Sequence, residues 1–402
     1  MAVIRPFRAV RPDPEAASRI AAVPYDVVDV EEARALAAGN PQSFLHVSRA
    51  EIDLPAGTDP HAGAVYRAAA ERYRALKHSV PFIEEAEPAL YLYHLDSDGH
   101  GQTGVAACFS LDEYDTGLIK RHERTRKDKE DDRTRHIVEL RAQTGPVFLA
   151  HRPHQQISHL AKRVRSAEPF VDFTALDGVR HAIWRVGRDL VPSFVEAFRE
   201  VDALYIADGH HRAASAARAR DELRNSEEAA FFLAVAFPSD QLRILPYNRV
   251  VRDLNGKTKE QFLDDVREIF GATPGAATPS EKGEVAMYVD RHWYTLDLER
   301  AGVAGKAVID SLDGNLLQER LLKPILGIQD VRTDKRIDFV GGVKGTHTLE
   351  QLVDSGRMAA AFSMYPVSMV ELMDVSDAGE IMPPKSTWFE PKLRDGLLIH
   401  EI

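Results

Sequence analysis

The sequence has almost no cysteine, with Cys108 as the single such residue among 402. One cysteine cannot form a disulfide within the chain, and this usage is typical of a reducing compartment, so we expect a cytoplasmic protein. Long apolar runs are also missing. The longest, AAFFLAVAF at 229–237, is far too short to span a bilayer. The first residues lack the apolar core of a secretory signal. We therefore expect neither secretion nor a membrane partner.

Positive charge is scarce, because 51 lysines and arginines face 62 acidic residues and leave a formal net charge of −11. Such a chain disfavours non-specific binding to nucleic acid or anionic lipid, since both require a basic surface. A small basic pocket for a small anion is still compatible with this balance. We expect small-molecule partners and no nucleic acid, while the sequence leaves the oligomeric state open.

Several catalytic motifs are absent. The sixteen histidines show no ligand spacing beyond one adjacent pair, and no HExxH occurs, which argues against zinc. No G-x-S-x-G elbow, glycine-rich P-loop or convincing helix-turn-helix is found. The sequence therefore lacks the commonest motifs of serine hydrolases, P-loop nucleoside triphosphatases and DNA-binding proteins.

Strand and helix signals alternate along the chain, which predicts a mixed α/β fold. The pattern predicts a strand over 43–49 and a pair of strands over 89–96 and 104–114. The length exceeds one small core, so we expect two domains. Residues 1–254 would form an α/β catalytic core, and 255–402 a second α/β domain whose tail packs back toward the site.

The stretch VDALYIADGHHRAASAARARDELR at 201–224 predicts a buried strand, a one-glycine turn and an alanine-rich helix. The helix begins with three basic side chains, those of His210, His211 and Arg212. Cations are unfavourable at a helix N-terminus unless an anion sits there. The N–H groups past Gly209 would bind a phosphate, with Arg212 as a bidentate partner. Alternatively, Asp208 caps the helix and the basic residues are ordinary surface groups.

The DGHHR motif resembles the phosphate-binding motif of the ParB/sulfiredoxin-like superfamily, which includes nucleotide-binding ParB proteins, sulfiredoxin and kinases of free serine. The whole chain is similar to a bacterial family catalogued as domain of unknown function 1015. The matching segments are PYDVV (24–28), NPQSFLHV (40–47), HERT to DRT, ADGHHRAA, LPYNRVV, RTDKRIDFVGG and MPPKSTWFEPKLRDGLL. The resemblance implies a ParB/sulfiredoxin-like phosphate-binding core and a phosphotransferase. Free L-serine would be the acceptor, and pyrophosphate, or else a nucleotide, the donor.

The run KRHERTRKDKEDDRTRH at 120–136 contains no apolar residue. It is compatible with a solvated helix held by i,i+4 pairs such as Lys127–Asp131. It is equally compatible with a pocket wall ordered by an anionic donor, with Arg124, Lys127 and Arg133 as contacts. Near the other end of the chain, a lysine and two hydroxyls follow a rigid Pro-Pro and suggest further phosphate contacts, namely Lys385, Ser386 and Thr387.

Three carboxylates are candidates for the base that deprotonates an acceptor hydroxyl, and the sequence does not choose between Asp26, Glu123 and Asp208. We expect substrate contacts from Asn40, His46 and Arg49, which flank the predicted strand at 43–49. Magnesium is expected with a polyphosphate donor, with Asp208 as its ligand.

We therefore predict a cytoplasmic small-molecule kinase. The alternative is a ParB-like nucleotide-binding regulatory protein without metabolic turnover, against which the acidic charge and the missing DNA-binding motif argue. A metabolite-binding protein without turnover is a third option.

Overall fold

A computed structural model describes residues 1–79, 82–302 and 307–402, which form two compact units. The first unit consists of Met1–Leu242 together with Pro391–Ile402, and the second of Arg243–Glu390. The mixed α/β class predicted from the sequence is confirmed.

The first unit alternates strands with helices. Its strands are β1 (Ile4–Arg5), β2 (Val10–Pro12), β3 (Phe82–Glu84), β4 (Tyr91–Ser97), β5 (His100–Ser110), β6 (Ile119–Lys120), β7 (Ala142–Gln143), β8 (Val147–His151), β9 (Val171–Thr174), β10 (Arg180–Arg185), β11 (Leu204–Asp208) and β12 (Phe231–Pro238). Its helices are α1 (Ala17–Ile20), α2 (Val30–Ala37), α3 (Leu45–Ser48), α4 (Gly63–Ser79), α5 (Leu111–Asp115), α6 (Lys127–Leu140), α7 (Gln155–Arg165), α8 (Val191–Arg199) and α9 (His210–Glu222).

Nine of these strands, as far as the described residues show, form one mixed sheet in the order β6-β11-β8-β12-β5-β4-β10-β9, with β1 also paired to β5. The strand β11 runs parallel to β6 and antiparallel to β8. Its residues Leu204 and Ile206 are buried in the main apolar core together with Ala213 and Ala216 of α9. Small alanine side chains let α9 lie close against the sheet, which places the β11–α9 turn at the end of a rigid strand.

The second unit is built on an antiparallel sheet. Its strands are β13 (Ile244–Leu245), β14 (Tyr247–Val251), β15 (Thr273–Pro274), β16 (Glu284–Val289), β17 (His292–Asp297), β18 (Ile337–Gly341), β19 (Ala360–Met364) and β20 (Trp388–Phe389), and its helices are α10 (Lys259–Phe270), α11 (Asp313–Leu317), α12 (Gly345–Asp354) and α13 (Met369–Asp377). In the described part of this unit, six strands are ordered β15-β17-β16-β19-β14-β18, and β13 pairs separately with β20.

The division of the chain differs from the predicted boundary after residue 254. The strand β14 is hydrogen-bonded to β18 and β19, so residues 243–254 belong with the second unit. The last residues return to the first unit, where β21 (His400–Glu401) pairs with β7. The second unit is thus inserted in sequence between two parts of the first.

Local predictions met different outcomes. The paired strands over 89–96 and 104–114 are confirmed as the antiparallel pair β4 and β5. The strand over 43–49 is wrong, because Leu45–Ser48 is a single helical turn, α3. Alternation over so few residues does not distinguish a strand from one helical turn that buries Leu45 and Val47. No helix among the described residues has the length and apolarity needed to cross a membrane.

Gly396 fixes the returning segment 391–402. Its φ is +84°, and a Cβ there would lie 2.5 Å from Cγ of the buried Phe44. We expect Gly396→Ala to lower the free energy of unfolding by about 2–4 kcal/mol, because overpacking adds to left-handed backbone strain. Gly117→Ala is the matched control, since Gly117 has a φ of +80° and no atom within 4 Å of the added Cβ. Urea unfolding of both variants measures the difference, and equal losses would contradict the packing argument.

Candidate active site

The turn between β11 and α9 presents an uncapped helix start. Gly209 is the N-cap of α9, with a φ of +94° that L-residues rarely adopt, and no side chain caps the helix there. The alternative in which Asp208 caps the helix is therefore wrong, because its carboxylate turns to Arg212. The first N–H groups of α9, with the positive end of the helix dipole, are available to an anion.

Arg212 lies inward and not toward solvent. It is 9% exposed, its Nη2 lies 3.0 Å from Oδ2 of Asp208 and 3.8 Å from Oδ2 of Asp26, and its Nη1 donates to the carbonyl of Pro146. Burial would lower the pKa of Arg212, but Asp26 and Asp208 hold it above its ordinary value. Both terminal nitrogens are engaged, so the expected bidentate phosphate contact would require the bond to Asp208 to open. Its Nε is buried without a hydrogen-bond partner among the described residues.

Asp208 is held as an anion by two cations. Burial alone would raise its pKa, but Lys392, whose Nζ lies 3.6 Å from Oδ2, and Arg212 keep the pKa well below its usual range. Lys392 was not among the residues singled out from the sequence. It enters the site with the segment 391–402 that returns to the first unit.

Asp395 is a second residue that the sequence did not single out. It is 4% exposed, and its backbone is held by a pair of hydrogen bonds with Ala22. Its carboxylate lines a pocket with Tyr25, Arg133 and Arg212. Burial raises the pKa of Asp395 to about 7, an effect that Arg212 opposes and Asp26 reinforces. A carboxyl group with this pKa can take up or release a proton near neutrality.

His210 faces the same turn from the first position of α9. It is buried, its ring meets that of His122 edge-on at 4.5 Å, and its Nδ1 lies 3.9 Å from Glu123. Burial and the neighbouring His122 lower the pKa of His210 well below its ordinary value, so the ring is neutral. Its Nε2 is buried without a hydrogen-bond partner in the part of the chain that the structure describes. His211 instead accepts the backbone N–H of Arg126 at 3.0 Å.

The charged run forms α6 only from Lys127 onward. The Lys127–Asp131 pair is not found among the described contacts, because Asp131 pairs with Arg218 of α9. Arg133 is the one predicted phosphate contact of this run that reaches the pocket. It pairs with Asp132 at 2.8 Å, and its guanidinium lies 4.1 Å from the centroid of Tyr25. Arg124 and Lys127 are exposed.

Of the three expected substrate contacts, one lies next to Asp26 and two do not. Arg49 donates to the carbonyl of Tyr25, next to Asp26, and pairs with Glu51 at 2.9 Å. Asn40 donates to the carbonyl of Arg19, and His46 pairs with Asp53, so both make contacts within their own region. Three further candidates lie in the second unit, namely Lys385, Ser386 and Thr387.

The side chains near Asp208 bear on the magnesium site expected there. No group of three or more His, Cys, Asp or Glu among the described residues is arranged to hold a metal ion. The carboxylate of Asp208 is already compensated by Arg212 and Lys392. The magnesium ligand expected there stays a prediction.

Comparisons with known proteins give a family and distant likenesses. A family model described as "Protein of unknown function (DUF1015)" matches residues 4–315. No curated protein matches the chain. Among solved structures, SbnI with a C-terminal truncation from Staphylococcus aureus is 13% identical with a TM-score of 0.42, over 73% of this chain and 87% of that one. A free serine kinase in complex with AMP is 15% identical with a TM-score of 0.36, over 74% and 91%. Likenesses this distant do not assign an activity.

Proposed function

The chain belongs to the family of proteins of unknown function DUF1015, and we propose that it is a small-molecule phosphotransferase that binds its phosphoryl donor at the start of α9. One observation carries the proposal. The uncapped N-terminus of α9 after Gly209 lies beside the buried side chains of His210 and Arg212 and beside the carboxyl group of Asp395, whose pKa is raised to about 7. Phosphoryl transfer needs positioning and charge stabilisation above all, and these groups supply both.

The donor phosphate would accept hydrogen bonds from the N–H groups of the first turn of α9. Neutral His210 offers Nε2 as a further donor in one tautomer. Lys392 and Arg212 would spread the charge that develops on the phosphoryl oxygens. Because Arg212 is bound to Asp208, it would act on these oxygens through its positive charge and not through a direct hydrogen bond.

The acceptor hydroxyl would give its proton to a carboxylate as its oxygen forms a bond to phosphorus and the donor's leaving phosphate departs. Of the three carboxylates expected from the sequence, Asp208 is the weakest base, because two cations hold its pKa low. Asp26 and Glu123 remain candidates at the same turn. We assign the base to Asp395, because it lines the pocket beside Arg212 and its pKa of about 7 suits proton uptake.

The proposal also names an acceptor and a donor. The DGHHR resemblance favours free L-serine as the acceptor. Pyrophosphate suits a seat made of backbone N–H groups and cations, because it is compact and carries no base to stack, and a nucleotide is the second choice. Magnesium would enter with the donor as its counter-ion and neutralise part of its charge.

Turnover can be tested directly. The purified protein is incubated with magnesium, L-serine or other small hydroxylated metabolites, and pyrophosphate, ADP or ATP, and phosphorus NMR follows a new phosphomonoester. We expect phosphoserine from at least one donor. Lys392→Met should slow it by about 10²-fold or more, because it removes one charge from the phosphoryl site. Lys162→Met, an exposed change on α7, is the control.

Two outcomes would contradict the proposal. Saturable binding of a nucleotide with no product from any pair of substrates would favour the regulatory alternative. Equal rates in wild type and Lys392→Met would remove the start of α9 from the reaction, even if product forms.

A further inference from the structure

The second unit buries an arginine side chain. Arg249 on β14 is 4% exposed, and no carboxylate of the described residues lies within the 4.0 Å limit of an ion pair. Among the described residues its side chain makes one hydrogen bond, from Nη1 to the carbonyl of Tyr247 at 3.1 Å, and its guanidinium lies 5.9 Å from the ring centroid of Phe339. A buried cation without a counter-ion is costly, so such residues are rare unless something compensates them.

A pocket opens over this guanidinium. The space that it encloses is small, about 20 Å³, and the pocket is otherwise open to solvent. Its wall includes Arg249, Lys282, Asp313 and Ser386. Gly314 makes room for the arginine, because a Cβ there would lie 2.7 Å from Nη2. Every residue of the wall belongs to the second unit, whereas the turn at Gly209 belongs to the first.

The two acidic groups of the wall bond to groups other than Arg249. Glu371 pairs with Lys282 at 2.6 Å and caps the start of α13. Asp313 accepts the N–H of Gly283, and burial raises its pKa to about 6. Burial likewise lowers the pKa of Arg249 to about 10, against the opposing effect of Asp313. Both carboxyl groups are therefore mostly ionised at pH 7, but neither forms an ion pair with Arg249.

We propose that the second unit binds a small organic carboxylate, with the carboxylate on Arg249 and an apolar body against the rest of the wall. A planar guanidinium matches a carboxylate in bidentate geometry. The body would lie against apolar and aromatic side chains, namely Tyr247, Leu312, Met364, Tyr365, Pro366 and Val367. The carboxylates of Asp313 and Glu371 in the wall disfavour a multiply charged phosphate.

The pocket also gives a place to part of the MPPKSTWF motif. Ser386 lines the wall, and Nζ of Lys385 lies 5.4 Å from the ring centroid of Tyr247. These residues were expected to contact phosphate. Their position in the second unit associates them with this pocket, whose ligand does not depend on the phosphotransferase proposal.

Calorimetric titration tests the proposal on the full chain with benzoate and 3-methylbutanoate. Benzamide is the uncharged control and inorganic phosphate the competing anion. We expect millimolar or tighter binding of a carboxylate, no binding of benzamide, and binding at least about tenfold weaker in Arg249→Gln and Arg249→Lys. Arg252→Gln, an exposed change one residue past β14, should bind like wild type.

Circular dichroism establishes that each variant folds. Should Arg249→Gln fail to fold, Gly314→Ala tests the same point, because its methyl group displaces the guanidinium from its place. Failure of both carboxylates to bind wild type, undiminished binding in every folded Arg249 or Gly314 variant, or tighter binding of phosphate would each overturn the proposal.

Discussion

Replacement of Arg212 by alanine is expected to abolish phosphoryl transfer and to lower the free energy of unfolding by about 3–5 kcal/mol. The stability loss follows because Asp208, Asp26 and Asp395 surround a guanidinium that is almost fully buried. Removing it leaves the buried Asp395 and the half-buried Asp208 without the neighbouring guanidinium. Urea unfolding at pH 7 measures the loss.

Arg218→Ala is the matched control on the same helix. Arg218 pairs with Asp131 and Glu130, but 39% of its side chain is exposed, so its loss should cost at most about 1 kcal/mol. Similar losses in the two variants would show that Arg212 is not the electrostatic centre of the site.

The loss in Arg212→Ala should depend on pH. In the wild type the pKa of Asp208 is depressed, so its contribution is present above its unfolded pKa and fades as the pH falls through the folded value. The variant lacks most of this contribution. The gap between the two proteins should therefore stay nearly constant from pH 7 down to about pH 4 and shrink only below that, as the pH falls toward the depressed folded pKa of Asp208.

Asp395→Asn is expected to reduce the rate of transfer by about 10²–10⁴-fold, because an amide cannot take up the acceptor's proton. The wild-type rate should rise with pH through about 7 as Asp395 ionises. Asp172→Asn, which alters a partly exposed pair with Arg180, should leave the rate unchanged. Loss of activity in Asp26→Asn, with Asp395→Asn fully active, would move the base to Asp26.

Asp395→Asn should also change the pH dependence of stability, in the direction opposite to Arg212→Ala. Because the folded pKa of Asp395 is raised above its ordinary 3.8, the folded state keeps a proton that the unfolded state has released between about pH 4 and 7. Wild-type stability therefore falls over this window, and Asp395→Asn avoids that fall. Between pH 5 and pH 8 the variant should gain about 2 kcal/mol relative to wild type. A residue with only a structural role would not give an inactive protein that gains relative stability at high pH.

Short-range patterns predicted the strand and the helix on which the candidate site is built. The strand, glycine turn and alanine-rich helix at 201–224 are confirmed as β11 and α9, because their signals are local. The pairing of Asp208 with Arg212 spans the turn, because Asp208 ends β11 and Arg212 lies in the first turn of α9. The side chain of Arg212 was expected to face a ligand, and its burial depends on contacts from elsewhere.

The rest of the site depends on contacts that periodicity does not encode. Lys392 and Asp395 reach the start of α9 from almost two hundred residues away, and they lie in a segment that the sequence assigned to the second domain. A charged Lys-Leu-Arg-Asp stretch after prolines was the available signal. The helical turn at Leu45–Ser48, in place of a strand, shows the same limit on a smaller scale.

The insertion of residues 243–390 into the first unit sets a delay during synthesis. A ribosome that has translated Asp208 and Arg212 must still translate the whole inserted segment before Lys392 and Asp395 emerge. At about 5–20 residues per second this takes roughly 7–30 seconds. During that interval the nascent chain holds Asp208 and Arg212 without Lys392 and Asp395. The candidate anion-binding site is therefore complete only after the second unit has been translated.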